Sequence, residues 1–183
     1  MRKVSSFLFK KAIIMRRYLT APILTMILFI GICTLLGVRF YRFISQTPEE
    51  HLQSGLNALN EKKAVKALRH FQISAENDNA QAMYEVALLY DRGDGTKENK
   101  NEAVKWILKS AEKNYVPAIY TQAVWTERGY FPDKKKQEAI PLYEKAANAG
   151  HQGAMRSLIL IYGETNKEKA LHWYRKVKNE KKI

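Results

Sequence analysis

The chain divides into an uncharged apolar segment near its start and a longer region in which apolar residues follow a helical period. Ala82, Val86 and Tyr90, for example, are spaced to share one face of a helix. Beyond residue 48 no segment alternates apolar and polar residues with the period of a strand. The pattern therefore predicts an all-α chain. The predicted helices span residues 48–60, 63–77, 80–92, 100–114, 116–129, 135–149, 152–163 and 166–180.

Residues 18–38 form the apolar segment, 21 residues without a charged side chain. A helix of this length spans about 30 Å, the thickness of the hydrocarbon core of a bilayer. Six basic residues precede the segment and two follow it closely. Because flanking positive charge stays on the cytoplasmic side, we expect a single-pass anchor with a cytoplasmic N-terminus. The residues predicted to lie at the membrane interface are Arg16, Arg17, Arg39, Tyr41 and Arg42.

The sequence thus predicts four segments. They are a basic cytoplasmic N-terminus (1–17), a transmembrane signal-anchor (18–38), a juxtamembrane linker (39–47) and a repeat domain (48–180). We expect the repeat domain on the extracytoplasmic, periplasmic side of the inner (cytoplasmic) membrane. A cleaved signal peptide is the alternative, although the apolar run is long for one and no small-x-small cleavage site follows it. Met15 is an alternative start of the chain.

An internal repeat of 36 residues runs through the helical region. Three columns of alanines recur at that spacing, the first at Ala82, Ala118 and Ala154. Small residues at fixed positions allow two antiparallel helices to approach closely. The helices therefore group into about four antiparallel pairs, stacked as an α/α solenoid that buries a continuous core. The other two columns are Ala67, Ala103, Ala139 and Ala75, Ala111, Ala147.

Local signals mark several helix ends. Residues 47–50 combine a hydroxyl cap, a proline at the first helical position and two acids near the positive helix end. Gly163 is expected to mark a junction between helices. Pro141 conflicts with a helix that begins near 135, so that helix either starts later, near Gln137, or kinks. Large side chains predicted to fill the space between helices include Phe71, Trp106, Tyr143, Trp173 and Tyr174.

The second repeat unit resembles a Sel-one-like repeat, the longer relative of the tetratricopeptide repeat. The matching residues are Ala82, Val86, Ala87, Tyr90, Gly93, Gly95, Ala103, Trp106, Lys109 and Ala111. The resemblance extends over roughly residues 50–178. It implies a right-handed superhelix of antiparallel helix pairs whose first helices line a concave surface. It also implies an adaptor role in membrane-linked or extracytoplasmic complexes, and it carries over no catalytic residue.

The outward side of the first helix of each pair is the candidate binding surface, here named the A face. In the helix at 80–92, positions 84, 88 and 92 point away from the partner helix. The same columns in later units supply aromatic and aliphatic groups edged by arginine, a composition typical of protein interfaces. Packing against neighbouring repeats is the alternative role of these side chains. The A face comprises Tyr84, Leu88, Arg92, Tyr120, Val124, Arg128, Arg156 and Leu160.

One sequence motif suggests chemistry. Ser110 and Lys113 form an S-x-x-K sequence, the nucleophile motif of penicillin-recognising enzymes. The S-D-N and K-T-G elements that accompany this motif are missing from the chain. We therefore expect no enzymatic activity. A hydrolase or hydrolase-associated factor acting on cell-wall or lactam substrates is the alternative function.

Other reactive side chains are scattered. The four histidines, His51, His70, His151 and His172, fall in three units without ligand spacing, so we expect surface or groove-edge positions and no metal site. The single cysteine, Cys33, cannot form a disulfide within the chain. No glycine-rich phosphate loop is present. The sequence therefore predicts neither a cofactor nor a small-molecule substrate.

The net charge of +13 does not indicate nucleic-acid binding. Residues 1–45 carry eight basic side chains and no acidic one, which leaves 23 basic and 18 acidic residues in the rest of the chain. Most of the excess therefore has a membrane explanation. The predicted function is a membrane-anchored scaffold or adaptor. Its groove is expected to bind a peptide or helix of a membrane-associated protein and to assist the assembly or maintenance of an envelope complex.

Overall fold

The computed structural model describes Thr34 and residues 46–180, and in that part of the chain every regular element is helical. The predicted N-terminus (1–17), the anchor (18–38) apart from Thr34, and most of the linker (39–47) lie outside the described residues. No helix among the residues that the structure describes is long and apolar enough to cross a bilayer.

Eight α-helices and one short 3-10 helix follow one another between residues 46 and 180. The 3-10 helix, Lys136–Glu138, directly precedes α6. The α-helices are α1 (Pro48–Asn60), α2 (Ala64–Glu76), α3 (Ala80–Arg92), α4 (Lys100–Glu112), α5 (Val116–Glu127), α6 (Ala139–Asn148), α7 (Gln152–Thr165) and α8 (Lys167–Glu180). Each helix packs against the one before it and the one after it. The predicted four helix pairs, α1–α2, α3–α4, α5–α6 and α7–α8, are thereby confirmed.

Side chains cap the starts of several helices, and the cap of α1 is the one that the sequence predicts. At α1 the Thr47 hydroxyl accepts a hydrogen bond from the Glu50 amide (3.2 Å), and the Glu50 carboxylate accepts one from the Thr47 amide (2.7 Å). Asn79 caps α3 and Asn99 caps α4 through bonds of 2.9 and 3.1 Å. At α7 the imidazole Nδ1 of His151 accepts from an amide in the same way.

The turns between successive pairs share one backbone conformation. Asp78, Asn114 and Gly150 are each 36 residues apart, and all three are left-handed, with φ values of 67°, 60° and 88°. A residue with positive φ after a helix lets the chain reverse and begin the next helix. Asparagine and aspartate tolerate this conformation better than other non-glycine residues. The 36-residue period therefore extends to the backbone of the turns.

The alanine columns are buried, as the repeat predicts. Ala82, Ala118 and Ala154 have no exposed surface, and the other two columns are also buried. Larger side chains fill the space between the helices of each pair, among them Phe71 in the first pair and Tyr143 in the third. One core joins α1, α2 and α3, and a second extends from α3 to α8; the half-buried Tyr90 and Trp106 contact both.

Three expectations about the second half of the chain are resolved or corrected. The helix that contains Pro141 begins at Ala139, so the proline lies in its first turn, where no intrahelical N–H bond is lost. Gly163 does not end a helix, because α7 continues to Thr165. Tyr174 does not fill the core: 54% of it is exposed on α8, whereas the neighbouring Trp173 is buried.

Candidate functional site

The A face lies on α3, α5 and α7, the first helices of the second, third and fourth pairs, and includes Arg128, the residue directly after α5. Four of its residues, Tyr84, Leu88, Tyr120 and Val124, are half-buried. The other four, Arg92, Arg128, Arg156 and Leu160, are exposed, and Leu160 exposes 79% of its surface. The aliphatic column thus changes from half-buried at Leu88 and Val124 to open at Leu160.

The two tyrosines of the A face contact the start of the next pair. The ring of Tyr84 meets that of Tyr115 edge-on, with centroids 5.5 Å apart and an interplanar angle of 61°. The ring of Tyr120 stacks on the imidazole of His151, with centroids 4.2 Å apart. Tyr115 and His151 are the residues directly before α5 and α7. Each tyrosine therefore packs on a neighbouring repeat while part of its surface stays open.

Tyr115 and His151 were not predicted as part of this surface. They are 36 residues apart and each is an aromatic residue directly before the first helix of a pair. That spacing is visible in the sequence and could have indicated their shared position. What the sequence does not show is that a ring at this position reaches back to the preceding first helix.

None of the three arginines of the A face forms an ion pair with another residue between positions 46 and 180, although the charge of Arg92 acts on Glu85. Exposed arginine beside aromatic and aliphatic groups is enriched in protein interfaces, because the planar guanidinium forms several hydrogen bonds at once. The A face can therefore offer apolar contact and positive charge to a bound segment.

A half-buried carboxylate, Glu85, lies beside Tyr84 on α3. Burial raises the pKa of Glu85, and the positive charge of Arg92 partly offsets that rise. Within the described part of the chain the Glu85 carboxylate forms neither a hydrogen bond nor an ion pair. The equivalent positions one and two repeats further on are Thr121 and Ser157, both half-buried and uncharged.

Ser110 serves packing and is not placed as a nucleophile. It has no exposed surface, and its hydroxyl donates a 2.6 Å hydrogen bond to the carbonyl oxygen of Ala80. Lys113, the other residue of the S-x-x-K motif, pairs with Asp78 at 2.8 Å. A nucleophilic serine needs an adjacent base and access to substrate. The geometry at Ser110 supplies neither.

The histidines correct one expectation. His51 and His70 are not at the surface but buried between α1 and α2, with 3% and 7% of their surface exposed. Their Nδ1 atoms are 3.1 Å apart, so the two rings share a hydrogen bond. Burial and the neighbouring His51 lower the pKa of His70. In the described residues no three potential ligands come together as a metal site.

Stacked helix pairs, alanine contacts and an open face on the first helices define a helical-repeat protein of the interaction type. Residues 57–79, 80–115, 123–151 and 158–176 match the Sel1 repeat, and together they make up more than half of the chain. The chain belongs to the Sel1-repeat family. Proteins of this family generally mediate protein–protein interactions.

Solved structures show the same fold. A Sel1 repeat protein from Oxalobacter formigenes is 24% identical, with a TM-score of 0.67 over 73% of this chain and 59% of that one. The protective antigen c5321 of uropathogenic Escherichia coli, described as an SLR fold, is 19% identical, with a TM-score of 0.66 over 73% of this chain and 31% of that one. MamA is 19% identical, with a TM-score of 0.54 over 79% and 84%.

The chain spans only part of the length of the first two of these proteins. A search of curated protein sequences found no match. The similarities establish the fold, and the partner of this chain has to be argued from its own residues.

Proposed function

We propose that this protein is a membrane-anchored adaptor that holds a segment of another protein against the A face. The observation that carries the proposal is Leu160, a large apolar side chain that is 79% exposed in line with the aliphatic Val124 and Leu88. A column of this kind, edged by unpaired arginines, supports apolar contact at its centre and polar contact at its rim. The family's general role in protein interaction supports the same interpretation.

Membrane attachment is part of the proposal and rests on the sequence. The uncharged segment 18–38 is long enough to span a bilayer, and positive charge flanks it mainly on the N-terminal side. In this arrangement the repeats lie on the extracytoplasmic side, a few residues from the bilayer. Partners that are themselves in the membrane then meet the A face at a raised effective concentration. An adaptor for assembly or maintenance of an envelope complex fits this placement.

Site-specific photo-crosslinking in native membranes tests the adaptor role. A photoreactive residue at Leu160 or Arg156 should join the full-length protein to one membrane protein, identified by mass spectrometry. The matched control is Val65 on α2, which is 72% exposed but lies outside the A face. Crosslinking to the same protein at 160 and 156 but not at 65 supports the proposal. Equal products at all three positions contradict it.

A topology reporter tests the placement of the repeats. A reporter that is active only outside the cytoplasm, fused after Ile183, should be active, and the same reporter fused before Met1 should be silent. The reverse pattern would place the A face in the cytoplasm and exclude extracytoplasmic partners.

A further inference from the structure

We propose that Glu85, with Tyr84 and Tyr115, forms a subsite on the A face that accepts a lysine or arginine side chain of the bound segment. This inference rests on the proposed function, because it assigns a charge preference to one part of that surface. The three residues come from two adjacent pairs: Tyr84 and Glu85 from α3, and Tyr115 from the start of α5.

The two rings contact each other, and the carboxylate acts on one of them electrostatically. Tyr84 and Tyr115 meet edge-on with ring centroids 5.5 Å apart, and Glu85, the residue after Tyr84 in α3, is half-buried as both tyrosines are. The negative charge of Glu85 helps to raise the pKa of Tyr115, after the larger effect of burial, as expected for close neighbours. A carboxylate beside two aromatic rings attracts a cation by charge and by the electron-rich ring faces.

Two other half-buried glutamates of the chain, Glu127 and Glu144, each have a tyrosine and a lysine as partners. Glu127 accepts a 2.7 Å hydrogen bond from the Tyr143 hydroxyl and pairs with Lys136 at 3.6 Å. Both partners belong to the same helix pair as Glu127 or to the turn within it. Glu127 is therefore satisfied by one tyrosine and one lysine.

A similar group joins the third and fourth pairs. Glu144 of α6 accepts a 2.8 Å bond from the Tyr162 hydroxyl of α7, and Lys169 of α8 approaches the same carboxylate at 3.7 Å. Among the described residues Glu85 has neither kind of partner: no hydroxyl donates to its carboxylate, and no lysine pairs with it. The missing cation is the component that a bound segment would supply.

Arg92 does not take this role. It lies about two turns further along α3 and is exposed, and its charge acts on Glu85 without forming an ion pair. Because Thr121 and Ser157 occupy the equivalent positions of α5 and α7, the preference for a cation is confined to the second pair. The bound segment should therefore carry a basic residue at one fixed position and not throughout its length.

The test uses a random linear peptide library displayed on phage and selected against the full-length protein in lipid nanodiscs. Peptides that bind the A face are those whose binding is lost in Leu160→Ser and kept in Val65→Ser. Among them we expect Lys or Arg at one fixed position. Glu85→Gln should weaken their binding about tenfold, as for the loss of one charge-assisted contact, while Glu112→Gln, at an exposed position of α4, should leave it unchanged.

Reversing the charge sharpens the test. Selection against Glu85→Lys should replace the basic residue by Asp or Glu at the same peptide position. If peptides bind the A face with no basic position, or if Glu85→Gln binds them equally well, the subsite is wrong and the adaptor role stands. If no selected peptide depends on Leu160, peptide binding by the A face fails and the subsite fails with it.

Discussion

The hydroxyl of Ser110 donates a 2.6 Å hydrogen bond to the carbonyl oxygen of Ala80, which ties the last turn of α4 to the first residue of α3. Ser74 makes the equivalent 2.6 Å bond to the Pro48 carbonyl in the first pair. The third pair has Ala146 at this position, also without exposed surface. The serine of the S-x-x-K motif thus links the two helices of its pair by a hydrogen bond. The alanine at the equivalent position of the third pair shows that a pair can form without this bond.

Ser110→Ala should therefore weaken the fold modestly. We expect the free energy of unfolding to fall by about 1 kcal/mol, the net value of one buried hydrogen bond. Urea denaturation followed by circular dichroism measures the change. The control is Thr165→Ala, which removes an exposed hydroxyl bond to the Ile161 carbonyl and should cost less than about 0.5 kcal/mol. Equal losses in the two variants would contradict a structural role for the Ser110 bond.

The ring of Phe71 leaves no room for a side chain at Gly55. A Cβ atom at Gly55 would lie 2.5 Å from two ring atoms of Phe71, which is completely buried. Gly55→Ala should lower the free energy of unfolding by about 1–3 kcal/mol through overpacking, despite the better helix propensity of alanine. Gly163→Ala in α7 is the matched control, because nothing lies within 4 Å of its Cβ. It should be neutral or gain up to about 1 kcal/mol.

Substitutions at two equivalent left-handed turn residues, Gly150 and Asn114, should have different effects on stability. Gly150 has φ 88°, and no atom lies within 4 Å of the place a Cβ would take, so Gly150→Ala should cost about 1–2 kcal/mol through backbone strain alone. Asn114 has φ 60° at the turn one repeat earlier, and Asn114→Gly should not destabilise. Thermal denaturation of both variants measures the two effects. Similar losses in both would show that side-chain contacts, and not φ, decide these turns.

Two histidines should make the fold sensitive to mild acid. Burial lowers the pKa of His151, and burial together with the nearby His51 lowers that of His70. A histidine with a depressed folded-state pKa binds its proton more readily when unfolded. Its stabilising contribution is therefore complete above about pH 6.5 and is lost as pH falls through the folded-state pKa.

The contribution of His151 can be separated from that of His70. His151 Nδ1 must be unprotonated to accept the 3.1 Å bond from the Ala154 amide. His151→Asn replaces it by a cap that does not titrate, as Asn79 does for α3. We expect the variant to lose less stability than the wild type between pH 7 and about pH 5. An identical pH profile would show that His151 does not contribute.

Glu85 should carry a stability penalty at neutral pH. Burial raises its folded-state pKa, so its stabilising contribution is present below the unfolded pKa and is lost as pH rises through the folded value. Glu85→Gln should therefore raise the unfolding midpoint at pH 7, and the gain should vanish below about pH 4. Destabilisation at pH 7 would mean that the carboxylate already has a favourable partner, which would also count against the cation subsite.

Much of the fold follows from local spacing. Residues 47–50 cap α1 through contacts within one turn, and the alanine columns recur at 36 residues because every pair repeats the same close approach. The bounds of α1 and α3 match their predictions for this reason. The helical period placed the eight A-face residues on the side away from the partner helix, and in the structure none of them is fully buried.

Contacts between elements could not be predicted in this way. Three contacts join residues that are 19 to 31 positions apart. His51 hydrogen-bonds His70, Tyr120 stacks on His151, and the Ser110 hydroxyl donates to the Ala80 carbonyl. Such contacts depend on how far one helix pair is shifted and rotated relative to the next, and a periodic pattern leaves both quantities free.

The sequence alone therefore determined that residues 48–180 form paired helices of one repeating kind, because hydrogen bonds and caps within a helix involve neighbours along the chain. The tertiary structure decided which side chains are satisfied and which remain open. Glu127 and Glu144 acquire their tyrosine and lysine partners only through packing, whereas Glu85 does not.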